Sequence, residues 1–202
     1  MSGTTLFARA LCVALLAGVT SGCAAGLGVG ALATTGVSVA QERSTRQALT
    51  DLEIKVTLNN SLLNADRALF ADVSTEVVEG RVLLTGSVPR PEQRIRAAQI
   101  AFETPDVKEV VNEITVANDA GIGSYAEDVW ISTQLRGALL GDTHVSSINY
   151  NVETVDQVVH LIGIARSEQE LDRVVNHARS ISGVKEVVSH VMTKYDERRA
   201  GA

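Results

Sequence analysis

Four histidines (His144, His160, His177 and His190) and two cysteines (Cys12 and Cys23) are the side chains best suited to metal binding or nucleophilic chemistry. Zinc sites that can be read from sequence place two histidines one helical turn apart, as in HxxxH or HExxH, so that both rings meet one ion. No such pair occurs here, and no thiol lies near a histidine in the sequence. His160 alternates with Val159 and Leu161, which turns it off the core face of its strand. The nucleophile-elbow pattern GxSxG, the phosphate-cradling Walker loop and the dinucleotide glycine pattern are all missing from the sequence. Gly28-Val29-Gly30 has no strand before it and cannot act as a phosphate loop. The expectation is a non-enzyme with no catalytic residue, no metal site, no cofactor and no small-molecule substrate.

Cys23 is the exception, and the chemistry it suggests is acylation. Met1 to Arg9 carries one positive charge, and Ala10 to Val19 is an apolar run of ten residues. That run is far shorter than the ~20 residues a spanning helix needs, but it suits a signal peptide. Thr20-Ser21-Gly22-Cys23 follows and resembles the lipobox of bacterial lipoproteins, with Thr20 in place of the usual Leu. An ordinary secretory signal with an incidental cysteine is the alternative. In either case Cys12 is removed with the signal (residues 1–22), so no intramolecular disulfide can form in an otherwise permissive compartment. By analogy with lipoprotein sorting, Ala24 rather than Asp after the cysteine favours the outer membrane, on its periplasmic face.

Loss of the signal removes Arg9 and no acid. The balance becomes 17 basic against 24 acidic residues, a net charge of −7 in place of −6. So acidic a chain lacks the basic footprint of a nucleic-acid-binding protein. Residues 23–46, rich in Ala, Gly, Val, Thr and Ser, have no lasting period and suit a lipidated flexible tether.

The elements that would position any site are written twice. Val107-Lys108-Glu109-Val110-Val111 returns unchanged at Val184 to Val188. The same offset pairs Ile54 with Ile131, Leu58 with Leu135, Val82 with Val159, Leu84 with Leu161 and Gly86 with Gly163. In the first copy, Thr50-Asp51-Leu52-Glu53 has capping-box spacing, and Ile54, Leu58 and Leu62 mark an amphipathic helix ending near Asn64. Alternation on either side of Glu79-Gly80 predicts a β-hairpin. A second helix follows Pro91 and runs to about Glu103, and a third strand covers Val107 to Val116. The second copy gives a helix from Tyr125 to Leu140, a hairpin over 148–164, a helix over 167–181 and a strand over 184–193. The fold class is therefore α+β: two tandem α-β-β-α-β domains, each a three-stranded mixed sheet with two helices. The domains span 47–117 and 125–195, with a linker at 118–124 and a disordered charged tail at 196–202. Gly86 and Gly163 close equivalent strands and are assigned a structural role.

Val77-Val78-Glu79-Gly80-Arg81-Val82-Leu83-Leu84-Thr85-Gly86 resembles the BON-domain signature, as does Gly183-Val184-Lys185-Glu186-Val187 after a helix. The second copy departs from that signature at Asp156-Gln157, and the first at Asp106. Two such domains behind a lipobox cysteine resemble the dual-BON type of outer-membrane lipoprotein. The resemblance implies a phospholipid-binding module of the bacterial envelope, concerned with outer-membrane integrity. It also implies membrane contact through the first helix of the second domain.

The spacing on that helix supports the same face. At 100° per residue, Ile131, Leu135, Ala138 and Leu139 form the core stripe, and Trp130 falls roughly 125° from its centre. Val129, Thr133, Arg136, Gly137 and Leu140 surround the indole. An indole beside Val, Leu and a cation suits a headgroup layer of anionic phospholipid. Trp130 aligns with Glu53 and Arg136 with Asn59, so the first copy lacks this handle. The competing use of Trp130 is packing against the other domain. At the level of function, the alternatives are a tethered adaptor for the outer-membrane assembly machinery and a soluble periplasmic stress protein.

Overall fold

The computed structural model describes residues 42–117 and 122–200. The segment expected to be a signal peptide, Cys23 and nearly all of the expected tether lie outside those residues. Residues Ala40–Ala202 form one compact unit that holds both repeats.

Helix α1 (Thr45–Ala65) begins a turn earlier than Thr50. Ser44 is the N-cap and makes a reciprocal capping box with Gln47. Ile54, Leu58 and Leu62 supply the buried stripe. Asp66 ends α1 and caps a short helix α2 (Arg67–Asp72), which seats Leu69 in the core. The sequence reading missed α2, because six residues are too few to show a helical period.

Strands β1 (Val73–Val78) and β2 (Arg81–Val88) pair antiparallel. Helix α3 (Pro91–Glu103) starts with proline at its first turn and buries Ala97, Ile100 and Ala101. It returns the chain to β3 (Glu109–Asn112), parallel to β2. The third strand breaks at Glu113-Ile114, where Ile114 drops into the core, and resumes as β4 (Thr115–Val116).

The second repeat has the same order. Helix α4 (Ile122–Gly141) leads, by way of a 3-10 turn at Ser147–Asn149, to β5 (Tyr150–Val155) and β6 (Val158–Ala165). Helix α5 (Glu168–Ser180) is followed by β7 (Glu186–Ser189) and β8 (Met192–Thr193), broken at His190-Val191. Both repeats are thus α+β with mixed sheets, as the sequence predicts.

Each sheet sets one face against its own helices. In the first copy Val82 and Leu84 lie in that core, and in the second Val159 and Leu161 do. Because side chains alternate along a strand, Leu83, Ile162 and Ile164 point the other way. They meet one another and Val78 in a third apolar cluster. The copies therefore pack sheet to sheet, with their helices on the outer sides.

Two regions expected to be loose are tied down. The charged tail carries a helical turn, α6 (Glu197–Ala200). Within it, Arg199 donates two 2.8 Å hydrogen bonds to the Glu79 carboxylate, across the repeats. At the end assigned to the tether, the Glu42 amide donates to Asn149 and the Glu42 carboxylate pairs with Lys194 at 2.8 Å.

Candidate functional site

Helix α4 buries Ile131, Leu135 and Leu139 and leaves an apolar row outside. Trp130 is 49% exposed, Val129 47% and Leu140 78%. Thr133, Gly137 and Arg136 are exposed too, and a Cβ on Gly137 would meet open space. Tyr125 continues the exposed surface one turn before Val129. Trp130, Thr133, Gly137 and Leu140 recur at helical spacing and form one stripe. The apolar cluster that joins the copies does not include Trp130. Val129 and Arg136 border a groove whose opposite wall is Asp72, Ser74, Gly86 and Ser87 of the first copy.

Arg136 is the one site residue whose environment differs from the expectation of a free cation. Its guanidinium donates to the Val152 carbonyl and lies 3.6 Å from the Glu153 carboxylate. Glu153 in turn faces the equivalent Glu76 of the first copy. Burial, and then the Glu76 charge, push the Glu153 carboxyl above the usual range, while Arg136 and Lys55 oppose them. Lys55 holds Glu76 at 2.9 Å, and the Asn151 amide donates to the same carboxylate at 2.7 Å. Two acidic side chains thus meet at the interface, each bridged by a cation from its own α1 or α4.

Sequence reasoning missed the two carboxylates that shape the hairpins. Glu79 and Gly80 occupy the left-handed region (φ 55° and 79°), and so do Asp156 and Gln157 (φ 51° and 68°). This is the two-residue turn whose twist matches a hairpin. The Asp51 carboxylate on α1 accepts from the Glu79 and Gly80 amides, each at 2.9 Å. Asp128 on α4 accepts from the Asp156 and Gln157 amides at 2.8 and 2.7 Å. The available signal was the repeat itself, since Asp51 and Asp128 are equivalent. The capping-box spacing around Asp51 is instead realised a turn and a half earlier, by Ser44 and Gln47.

Gly86 and Gly163 also have a geometric reason. A Cβ at Gly86 would lie 2.1 Å from the Asp72 carbonyl oxygen, and one at Gly163 would lie 2.1 Å from that of Asn149. The strand crosses the preceding segment too closely for any side chain.

For metal ligation, distance in sequence misled. His160, buried on β6, meets His190 and Glu113 with donor atoms within 4.8 Å of one another. The other two histidines share one partner: His177 bonds Asp142 at 2.8 Å, and His144 lies 3.4 Å from it.

The BON-domain family model matches residues 50–118 and 127–194. The chain belongs to the BON family. It is 38% identical over 150 residues to an "uncharacterized protein in gshII 5'region" of Anaplasma centrale, covering 74% of this chain and 98% of that one. It is 30% identical to the "osmotically-inducible protein Y" of Escherichia coli K12, over 71% of this chain and 73% of the relative. The "outer membrane lipoprotein DolP" of Haemophilus influenzae is 28% identical, over 87% of this chain and 92% of its own length. The chain is thus a dual-BON protein similar to DolP and to the osmotically inducible protein. Among the described residues, no helix is long and apolar enough to cross a membrane.

Proposed function

We propose that this chain is a periplasmic protein, anchored in the outer membrane through acylated Cys23, whose second BON domain rests on phospholipid and supports the integrity of that membrane. The exposed α4 stripe carries this reading. Trp130, Val129 and Leu140 remain outside both cores and outside the sheet-to-sheet interface. Exposed large apolar side chains arrayed on one helix face suit a bilayer interface, where an indole sits at headgroup depth. The similarity to a protein named an outer membrane lipoprotein agrees with the anchor and the location. Nothing in the site suggests catalysis, and we assign the chain a binding role.

Preference for anionic lipid rests on Arg136. A lipid phosphate would have to compete with Glu153 for the guanidinium, so the face alone binds weakly. The Cys23 anchor keeps it near the bilayer at high effective concentration.

Co-sedimentation of Ala40–Ala202 with vesicles, with and without anionic lipid, tests the proposal, with Trp130→Glu alongside. The wild type should pellet with anionic vesicles and the variant should stay in solution while remaining folded. Equal binding by a folded Trp130→Glu protein would refute it.

A second reading, as a protein-interaction adaptor, has an observation of its own. On the first domain, Ile95, Phe102 and Val116 are exposed around one shallow groove beside Arg94. Such a patch suits a protein partner in envelope assembly. Under this reading Phe102→Glu, and not Trp130→Glu, would abolish function.

A further inference from the structure

The break in the third strand falls at the same place in both copies. The Glu113 amide donates to the Leu84 carbonyl at 2.9 Å, and the His190 amide donates to the equivalent Leu161 carbonyl at 2.8 Å. Glu113 and His190 are repeat equivalents, 77 positions apart, and their side chains meet with His190 Nε2 2.9 Å from Glu113 Oε1. In an internally duplicated pair, residues that meet their own equivalents lie where the two copies are related to one another. Two identical side chains there would give Glu against Glu or His against His. Here the copies have diverged into an acceptor and a ring nitrogen.

The third member strengthens the point. His160 occupies the position equivalent to Leu83, which packs in the apolar interface between the sheets. His160 is only 4% exposed, and its Nδ1 is buried without a hydrogen-bond partner. A buried polar atom left unpaired is destabilising, and a leucine would avoid that at this position. Glu113 and His190 keep part of their side chains in contact with solvent, at 32% and 20% exposure. An ion could therefore enter from that side and retain a water. Among the described residues, the buried cation beside the cluster, Arg81, is already engaged: it donates to Glu109 at 2.8 Å and to the His190 backbone carbonyl at 3.0 Å.

We infer that Glu113, His160 and His190 form an interdomain site for a divalent transition metal, zinc by donor type. Two imidazoles and one carboxylate, with water as the fourth ligand, are an established zinc donor set. Zinc bonds of ~2.0–2.2 Å require donors roughly 3.2–3.5 Å apart. The present spacing, within 4.8 Å overall and 2.9 Å between His190 and Glu113, needs only small adjustments of these side chains. Because Glu113 comes from the first domain and both histidines from the second, the ion would tie the two copies together.

The test uses the full chain carrying Cys12→Ser and Cys23→Ser, so that no thiol competes, after chelator treatment and in mild detergent. Calorimetric titration with zinc should show one equivalent bound at micromolar affinity or tighter, with a rise in Tm. His160→Leu, which installs the residue the first copy already has there, should weaken binding at least tenfold. His190→Gln and Glu113→Gln should do the same, while His177→Gln leaves binding unchanged. Cobalt in place of zinc should give visible bands of a four-coordinate site, lost in His160→Leu. No stoichiometric binding by the parent chain would overturn the inference. Parent-like affinity in folded His160→Leu and His190→Gln proteins would overturn it as well.

Discussion

Removing the Asp128 carboxylate should destabilise the protein by about 3 kcal/mol, from two charge-assisted hydrogen bonds worth about 1.5 kcal/mol each. Both bonds are short, at 2.8 and 2.7 Å, and both hold amides of a turn that contains no glycine. Gln157 sits at φ 68°, a region that disfavours a side chain by about 1–2 kcal/mol. The carboxylate therefore offsets backbone strain as well as satisfying two donors. In Asp128→Ala the amides gain only partial access to water, which keeps the loss near the full value. For a unit of this size, that corresponds to a fall in Tm of about 6–12 °C.

Urea denaturation of Ala40–Ala202 measures the effect, and a double-mutant cycle isolates its cause. Gln157→Gly alone should stabilise by about 0.5–1 kcal/mol, because glycine accepts positive φ freely. If strain is what Asp128 holds, Asp128→Ala should lose less in the Gln157→Gly background, by at least about 0.5 kcal/mol. Asp51→Ala should be more severe than Asp128→Ala, because Asp51 also pairs with Arg43 at 2.8 Å. A loss below about 1 kcal/mol for Asp128→Ala, or strict additivity in the cycle, would refute the reasoning.

Other consequences follow from the interface and the exposed helix. Arg199→Ala should cost about 2–3 kcal/mol in urea, since it strands the nearly buried Glu79 carboxylate; deletion of 197–202 should match it, whereas a frayed tail would give no change. Gly163→Ala should cost more than about 3 kcal/mol or prevent folding, as judged by circular dichroism, because its Cβ would strike the Asn149 carbonyl. Trp130→Glu should leave urea stability within about 0.5 kcal/mol of wild type, since the indole lies outside both cores.

The helices and strands with a long apolar period were legible, as were the duplication and the family that goes with it. Ile54, Leu58 and Leu62 and their equivalents marked a core stripe because burial imposes a period on residue type. The exposed position of Trp130 could be read for the same reason: it breaks that period. What was illegible depended on contacts distant in sequence. Nothing local marks Arg199 as the partner of Glu79, or His160 as a neighbour of Glu113. Asp51 shows a further limit, because its spacing fits a capping box and its side chain is used elsewhere. The outward strand face was the largest omission. Leu83, Ile162 and Ile164 alternate out of step with the core, and that second apolar face is the signature of a sheet packed on both sides.

The acidic interface links that packing to the exposed helix, and it predicts how pH should act on the proposed membrane contact. Glu153 lies between Glu76, which repels its charge, and Arg136, which attracts it. Because its folded pKa is raised, the folded state holds a proton on Glu153 at pH values where the unfolded chain has released it. Its contribution to stability is thus greatest below the ordinary glutamate range and is lost as pH rises through the raised value. Protonation also releases Arg136 from its 3.6 Å pairing, leaving the guanidinium available to a phosphate beside Trp130. Anionic-vesicle binding should therefore strengthen as pH falls through the titration of Glu153, and Glu153→Gln should reproduce the strengthened state at neutral pH. A partly exposed pair worth about 0.2–1 kcal/mol corresponds to a gain in affinity of roughly 1.4- to five-fold. Arg136→Gln should remove both the gain and its pH dependence, while binding to neutral vesicles through the apolar stripe stays unchanged. Unaltered binding by Glu153→Gln, or a pH response that persists in Arg136→Gln, would exclude Arg136 as the phosphate contact.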